Sequence, residues 1–222
     1  MKKTDSLKKI RGNENSPIFV IGDSLPNNEV TKNNLSEILD RRHVVYKSVI
    51  IPIKYYMNEY MISKKGLKLP NDYNNENDIF AFVNAFTPKF DENLIKQQLN
   101  SKNYKIILCM GKRVFDKIKF LFETEYEYPK ISVTGKGIGE LGEYFKKSIE
   151  VYKDRKTKGR VILPILHNSS NRKFHLTDRF IDSSIDNNEK YITYNEYIAE
   201  QISEIMINDP ELKNFLVDLR NL

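Results

Sequence analysis

Short apolar runs alternate with polar, helix-patterned stretches along the 222-residue chain. Residues 17–21 (Pro-Ile-Phe-Val-Ile) form a run closed by Gly22, and residues 79–83 (Ile-Phe-Ala-Phe-Val) a run followed by Asn84. Lys105 to Met110 precedes Gly111, and Arg160 to Leu166 precedes His167. These runs, rich in β-branched and aromatic residues, predict buried strands, and Val44 to Ile53, ended by Pro52, reads as another. Between them, Leu35, Ile38 and Leu39 share one face of a helix predicted over 31–40. Further helices are predicted over 92–99, 112–122 and 195–207, with a short tail helix after Pro210. Tyr55, Tyr56, Tyr60 and Met61 supply a helical face within the mixed segment 54–77, while 123–158 is poorly patterned. Strands alternating with helices predict an α/β fold, a three-layer α/β/α arrangement around a four- or five-stranded, mostly parallel sheet. The reading is one domain over 16–222, preceded by a flexible basic leader over 1–15.

Composition narrows the class. With 40% hydrophobic and 30% charged residues, the chain is too apolar for wholesale disorder and long enough to bury a core. The 36 Lys and Arg exceed the 30 Asp and Glu by six, an excess that permits a nucleic-acid partner without requiring one. A single cysteine, Cys109, excludes an internal disulfide, a Cys-rich zinc site and a Cys-ligated iron–sulfur cluster. No apolar run is long enough to span a bilayer, and the first residues lack the apolar core of a secretory signal. The expectation is a cytoplasmic monomer with no cofactor, no metal and no membrane partner.

Candidate chemistry gathers where predicted strands end, because ligands of open parallel sheets bind outside the carboxyl ends of the strands. The first run ends in Gly22-Asp23-Ser24, the third in Asn84, and the last in His167-Asn168-Ser169-Ser170-Asn171-Arg172. An acid, an amide and an imidazole would converge on one edge if these strands are neighbours. Each residue also has an ordinary structural role: Asp23 as a turn or cap residue, Asn84 as a partner for turn backbone, His167 as a satisfied structural histidine.

Two resemblances follow from these residues. Gly22-Asp23-Ser24-Leu25 resembles the nucleophile block of the GDSL, or SGNH, hydrolases, which implies an esterase with Ser24 as nucleophile. The Asp-x-x-His block, which that family carries near its C-terminus, occurs here only as Asp40-Arg41-Arg42-His43, in the N-terminal half of the chain.

The distributed pattern from Ile18 to Arg172 resembles the uracil-DNA glycosylase superfamily. Phe19 to Pro26 resembles its first motif, and Phe82 to Pro88 the strand that ends in its base-reading Asn. Lys105 to Lys112 resembles its strand-Gly-helix unit, and Val161 to Ser170 its second motif, with Asn168 where Pro is usual. The resemblance implies a metal-independent enzyme that flips a base out of DNA and cleaves the base–deoxyribose bond. It assigns Asp23 to orienting water and His167 to stabilising the leaving base. Asn84 would read the base edge, with Gly22, Ser24 and Phe86 lining the base pocket. Tyr55 and Tyr56 are alternatives to Phe86 as the aromatic platform. Asn168, Ser169, Ser170, Asn171 and Arg172 would hold the DNA backbone. The preferred base and the strandedness of the DNA stay open, as does a third reading, a catalytically silent DNA-binding protein of the same fold.

Overall fold

The computed structural model describes residues 11–23, 46–69, 78–84, 90–102, 104–122, 145, 147–150, 160–165, 179–181 and 191–220. Their strands are β1 (Arg11–Gly12), β2 (Ile18–Gly22), β3 (Ala81–Asn84), β4 (Ile106–Met110), β5 (Val161–Ile165), β6 (Arg179–Ile181) and β7 (Tyr191–Thr193). The helices are α1 (Ile51–Lys65), α2 (Glu92–Ser101), α3 (Lys112–Leu121), α4 (Tyr194–Asn208) and α5 (Pro210–Arg220).

The fold is α/β. The main sheet has five strands in the order β1-β3-β2-β4-β5, with β3, β2, β4 and β5 mutually parallel and β1 antiparallel to β3. Every residue of β2, β4 and β5 is buried, which is why these strands read as unbroken apolar runs. Pro164 fits within β5 because β5 ends the sheet among the described residues, and the alternation set by Val161, whose N–H donates to Lys105 O, turns the Pro164 nitrogen away from β4. Connections between parallel strands are right-handed, a rule that predicts α1 on one face of the sheet and α2 and α3 on the other.

The segment expected to be a strand over 44–53 is helical where it is described. A π-helical turn, Tyr46–Ile50, runs into α1. Val49, Ile50, Ile53, Met57 and Met61 are buried at helical spacing. Pro52 lies in the first turn, where a helix has no internal acceptor for its N–H anyway, so it starts the helix rather than ending a strand. α1 ends at Gly66, whose φ of 61° is the left-handed conformation a helix C-terminus favours, and its N–H donates to Ile62 O at 2.9 Å. Residues 11–13, read from the sequence as part of a leader over 1–15, join the sheet. Arg11–Gly12 pair with β3, Asn13 is buried, and its N–H donates to Phe80 O at 3.0 Å. The hairpin β6–β7 had no counterpart among the predicted elements.

Side chains tie the elements together. Arg160 donates through Nε to Tyr104 O (3.1 Å) and through Nη2 to Leu99 O (2.8 Å), and it stacks on Phe122. It therefore joins the end of α2, the entrance to β4 and the end of α3. α4 packs on α1, where Tyr60 Oη donates to a Glu204 carboxylate oxygen (3.2 Å), and Asn195 Nδ2 donates to Ser48 O (3.1 Å) in the π-helical turn before α1. Burial and the Glu204 charge push the Tyr60 phenol up to about 12. No helix among the described residues is long and apolar enough to cross a membrane.

Candidate functional site

The strand register builds one edge of the sheet residue by residue. Gly22 of β2 faces Asn84 of β3, and Ile21 faces Cys109 of β4, which sets Gly22 level with Met110. Met110 in turn faces Ile165 of β5. Asn84, Gly22, Met110 and Ile165 thus form a row across the carboxyl ends of the four parallel strands. Asp23 is the first residue beyond that row on β2, and Gly111 the first beyond it on β4.

The chain goes from β2 to β3 on one side, then crosses back to β4 on the other. That reversal makes the gap between the carboxyl ends of β2 and β4 the topological switch point, where open α/β sheets leave a crevice for ligands. Asp23 stands on one side of it. On the other, β4 passes into α3 through Gly111 alone. Gly111 adopts φ 84°, a conformation that strains any residue with a Cβ. Its N–H donates to Ile165 O at 2.8 Å, and its carbonyl accepts from Phe115 N at 3.1 Å. One residue therefore both extends the β4–β5 ladder and starts the helix. This tight turn brings Arg113, in the first turn of α3, across the switch point to Asp23. Its Nη1 donates to Asp23 Oδ1 at 3.1 Å, with the Asp23 side chain 21% exposed and Arg113 63% exposed.

Of the residues singled out from the sequence, Gly22 and Asp23 lie at this edge, and Asn84 ends the neighbouring strand at the same level. β5, which precedes His167 in the chain, is not a neighbour of β2; β4 lies between them. The acid and amide strands are adjacent, and the imidazole's strand stands two strand spacings from β2, about 10 Å. Ser24, Phe86, His167, Asn168, Ser169, Ser170, Asn171 and Arg172 lie outside the described residues, as does the side chain of Asn84. Tyr55 and Tyr56 sit away from this edge. They adjoin Lys54, which pairs with Asp78 and lies over the rings of Phe80 and Phe82, so this turn of α1 packs at the amino end of β3.

Arg113 escaped the sequence reading. Its signal was present: a glycine directly after a buried strand, then Lys112-Arg113 opening an amphipathic helix with no acidic residue in its first turn. Cys109, one residue before the row, is fully buried, and burial pushes its thiol well above its ordinary range, so it packs as a small apolar residue.

A cavity of about 410 Å³ opens at the opposite end of the sheet, between Pro17, Leu212 and Phe215. Its charges neutralise one another: Lys102 meets Glu14 at 3.2 Å and Lys105 meets Glu211 at 2.8 Å. Its place at the amino ends of β2 and β4 and its internal neutrality fit a seam that docks α5 rather than a reactive site. Among the described residues no cluster of His, Cys, Asp and Glu has the makings of a metal centre. No protein-family model matches the chain, and no curated protein matches its sequence.

Proposed function

We propose that the protein is a DNA glycosylase-like hydrolase that cleaves the bond between a base and its deoxyribose. The observation that carries the reading is the position of Asp23. It is a carboxylate at the topological switch point, one residue beyond the level of Asn84 on the adjacent strand, and held by Arg113. Hydrolysis of an N-glycosidic bond passes through a positively charged sugar and a negatively charged departing base. The extruded base enters the crevice, a step that costs about a few kcal/mol of lost stacking and pairing. Asp23 stabilises the cationic sugar with its charge, orients the water whose oxygen bonds to the sugar carbon and accepts the proton that water loses, while the departed base anion takes a proton from solvent. Asn84, an amide with both donor and acceptor, reads the base edge. His167 donates a hydrogen bond to the base oxygen as the carbon–nitrogen electron pair leaves with the base. The ordered resemblance of four segments to the uracil-DNA glycosylase superfamily supports the same assignment.

The test is incubation with oligonucleotides carrying uracil or another modified base, followed by alkali. Strand scission at the modified position is the expected outcome, and intact strands with every base would refute the catalytic reading.

A further inference from the structure

The outer face of α3 has a composition of its own. Val114, Phe115 and Ile118 are buried against the sheet. The opposite face exposes Lys112, Arg113, Asp116, Lys117 and Phe120: three cations, one of them Arg113 that pairs with Asp23, and one anion. Phe120 is 64% exposed, the most exposed large apolar side chain among the described residues. Arg113, Lys117 and Phe120 recur at i, i+4 and i+7, so they form one stripe along the helix. Eight residues separate Lys112 from Phe120, a rise of about 12 Å. The stripe begins at the crevice, where Arg113 meets Asp23, and runs away from it.

A cation followed one or two turns later by an open aromatic face is the arrangement that tracks a nucleic-acid strand. The ammonium meets a phosphate, and a base stacks on the ring. From this charge complementarity and the continuity with the crevice, we infer that the outer face of α3 is the docking surface for a single DNA strand. Lys117 contacts its backbone, and Phe120 stacks an unpaired base near the one delivered to Asp23. This inference rests on the glycosylase reading for the identity of the partner and adds the path by which the strand approaches.

The experiment is fluorescence anisotropy with a labelled, undamaged single-stranded oligonucleotide over a range of salt concentrations. Wild type should bind with an affinity that falls as salt rises. Lys117→Ala should reduce the slope of log affinity against log salt by about 0.7, the share of one single-strand phosphate. Phe120→Ala should weaken binding about tenfold. Lys65→Ala removes an exposed cation from α1 and should leave binding unchanged. All three side chains are exposed, and circular dichroism checks that each variant folds. Failure of wild type to bind, or equal binding by Lys117→Ala, Phe120→Ala and wild type, would overturn the inference, as would a loss in Lys65→Ala matching that in Lys117→Ala. The probe holds no modified base, so α3-dependent binding to it, together with no base released from the modified-base oligonucleotides, would sink the glycosylase reading alone. Undiminished excision by the two α3 variants with unchanged binding would sink the docking inference alone.

Discussion

Arg113 Nη1 donates to Asp23 Oδ1 at 3.1 Å across the gap between β2 and β4. The two residues are 90 positions apart and meet only because Gly111 turns β4 directly into α3. Arg113 is 63% exposed, so the pair contributes little to stability; exposed pairs are worth about 0.2–1 kcal/mol. Its consequence should appear in function. Arg113→Gln should shift the urea unfolding midpoint only slightly while lowering the rate of base excision, because the carboxylate loses the partner that fixes its direction. A large loss of stability with unchanged excision would assign the pair to the scaffold instead.

A different result is expected at Lys54 and Asp78. Both are largely buried, and Asp78 also accepts from Phe80 N at 3.0 Å while the Lys54 ammonium lies over Phe80 and Phe82. Asp78→Ala leaves the ammonium desolvated without its carboxylate, and should cost about 3–5 kcal/mol in denaturant unfolding. Lys54→Met in the same background should recover part of that loss, since the uncompensated charge is then gone. No recovery would mean that the backbone cap on Phe80 carries the effect.

Two glycines with positive φ should respond differently to alanine. At Gly12 (φ 77°) an added Cβ would stand 2.3 Å from Phe80 O and 2.9 Å from the Phe82 ring. At Gly66 (φ 61°) it would meet nothing within 4 Å. Gly66→Ala should cost about 1 kcal/mol, the price of the left-handed conformation alone. Gly12→Ala adds overpacking and should cost about 2–4 kcal/mol, or detach β1. Hydrogen exchange at the Asn13 amide, bonded to Phe80 O, separates the two outcomes.

Tyr104 makes an alkaline prediction. It is 1% exposed against Phe19, its hydroxyl has no hydrogen-bond partner among the described residues, and burial with the Glu14 charge pushes it up to about 12. The unfolded chain ionises tyrosine near 10 and so binds fewer protons than the folded one between about 10 and 12. The stability this group contributes is complete below about pH 10 and is lost as pH rises toward 12. Tyr104→Phe should be neutral to slightly stabilising at pH 7, because it removes a buried unsatisfied hydroxyl. It should also flatten the alkaline limb of unfolding midpoint against pH; Tyr60, also at about 12, leaves a remainder. An unchanged limb would contradict the assignment.

The parts of the fold legible in the sequence were those with a local signature. β2, β4 and β5 are buried on both faces and read as apolar runs, and α2, α3 and α4 carried helical periodicity. Val49, Ile50 and Ile53 satisfy a short strand as readily as a helix. Only Met57 and Met61, one helical turn apart beyond Pro52, decide the matter. β1 is Arg11–Gly12, held by backbone bonds that leave no pattern in side chains. Strand order was not legible, because pairing between distant segments has no local mark. For that reason Asp23 and Asn84 could be named as candidates, while Arg113 emerged only when β4 was seen beside β2.

The most direct test of the central claim compares single-turnover excision from a modified-base oligonucleotide by wild type, Asp23→Asn, His167→Ala and Ser24→Ala. A water-orienting Asp23 predicts base release by wild type and Ser24→Ala, a loss of at least 100-fold in Asp23→Asn, on the order expected for a positioned catalytic group, and a marked loss in His167→Ala. Release that survives in Asp23→Asn, or hydrolysis of a short-chain nitrophenyl ester that vanishes in Ser24→Ala, would contradict it.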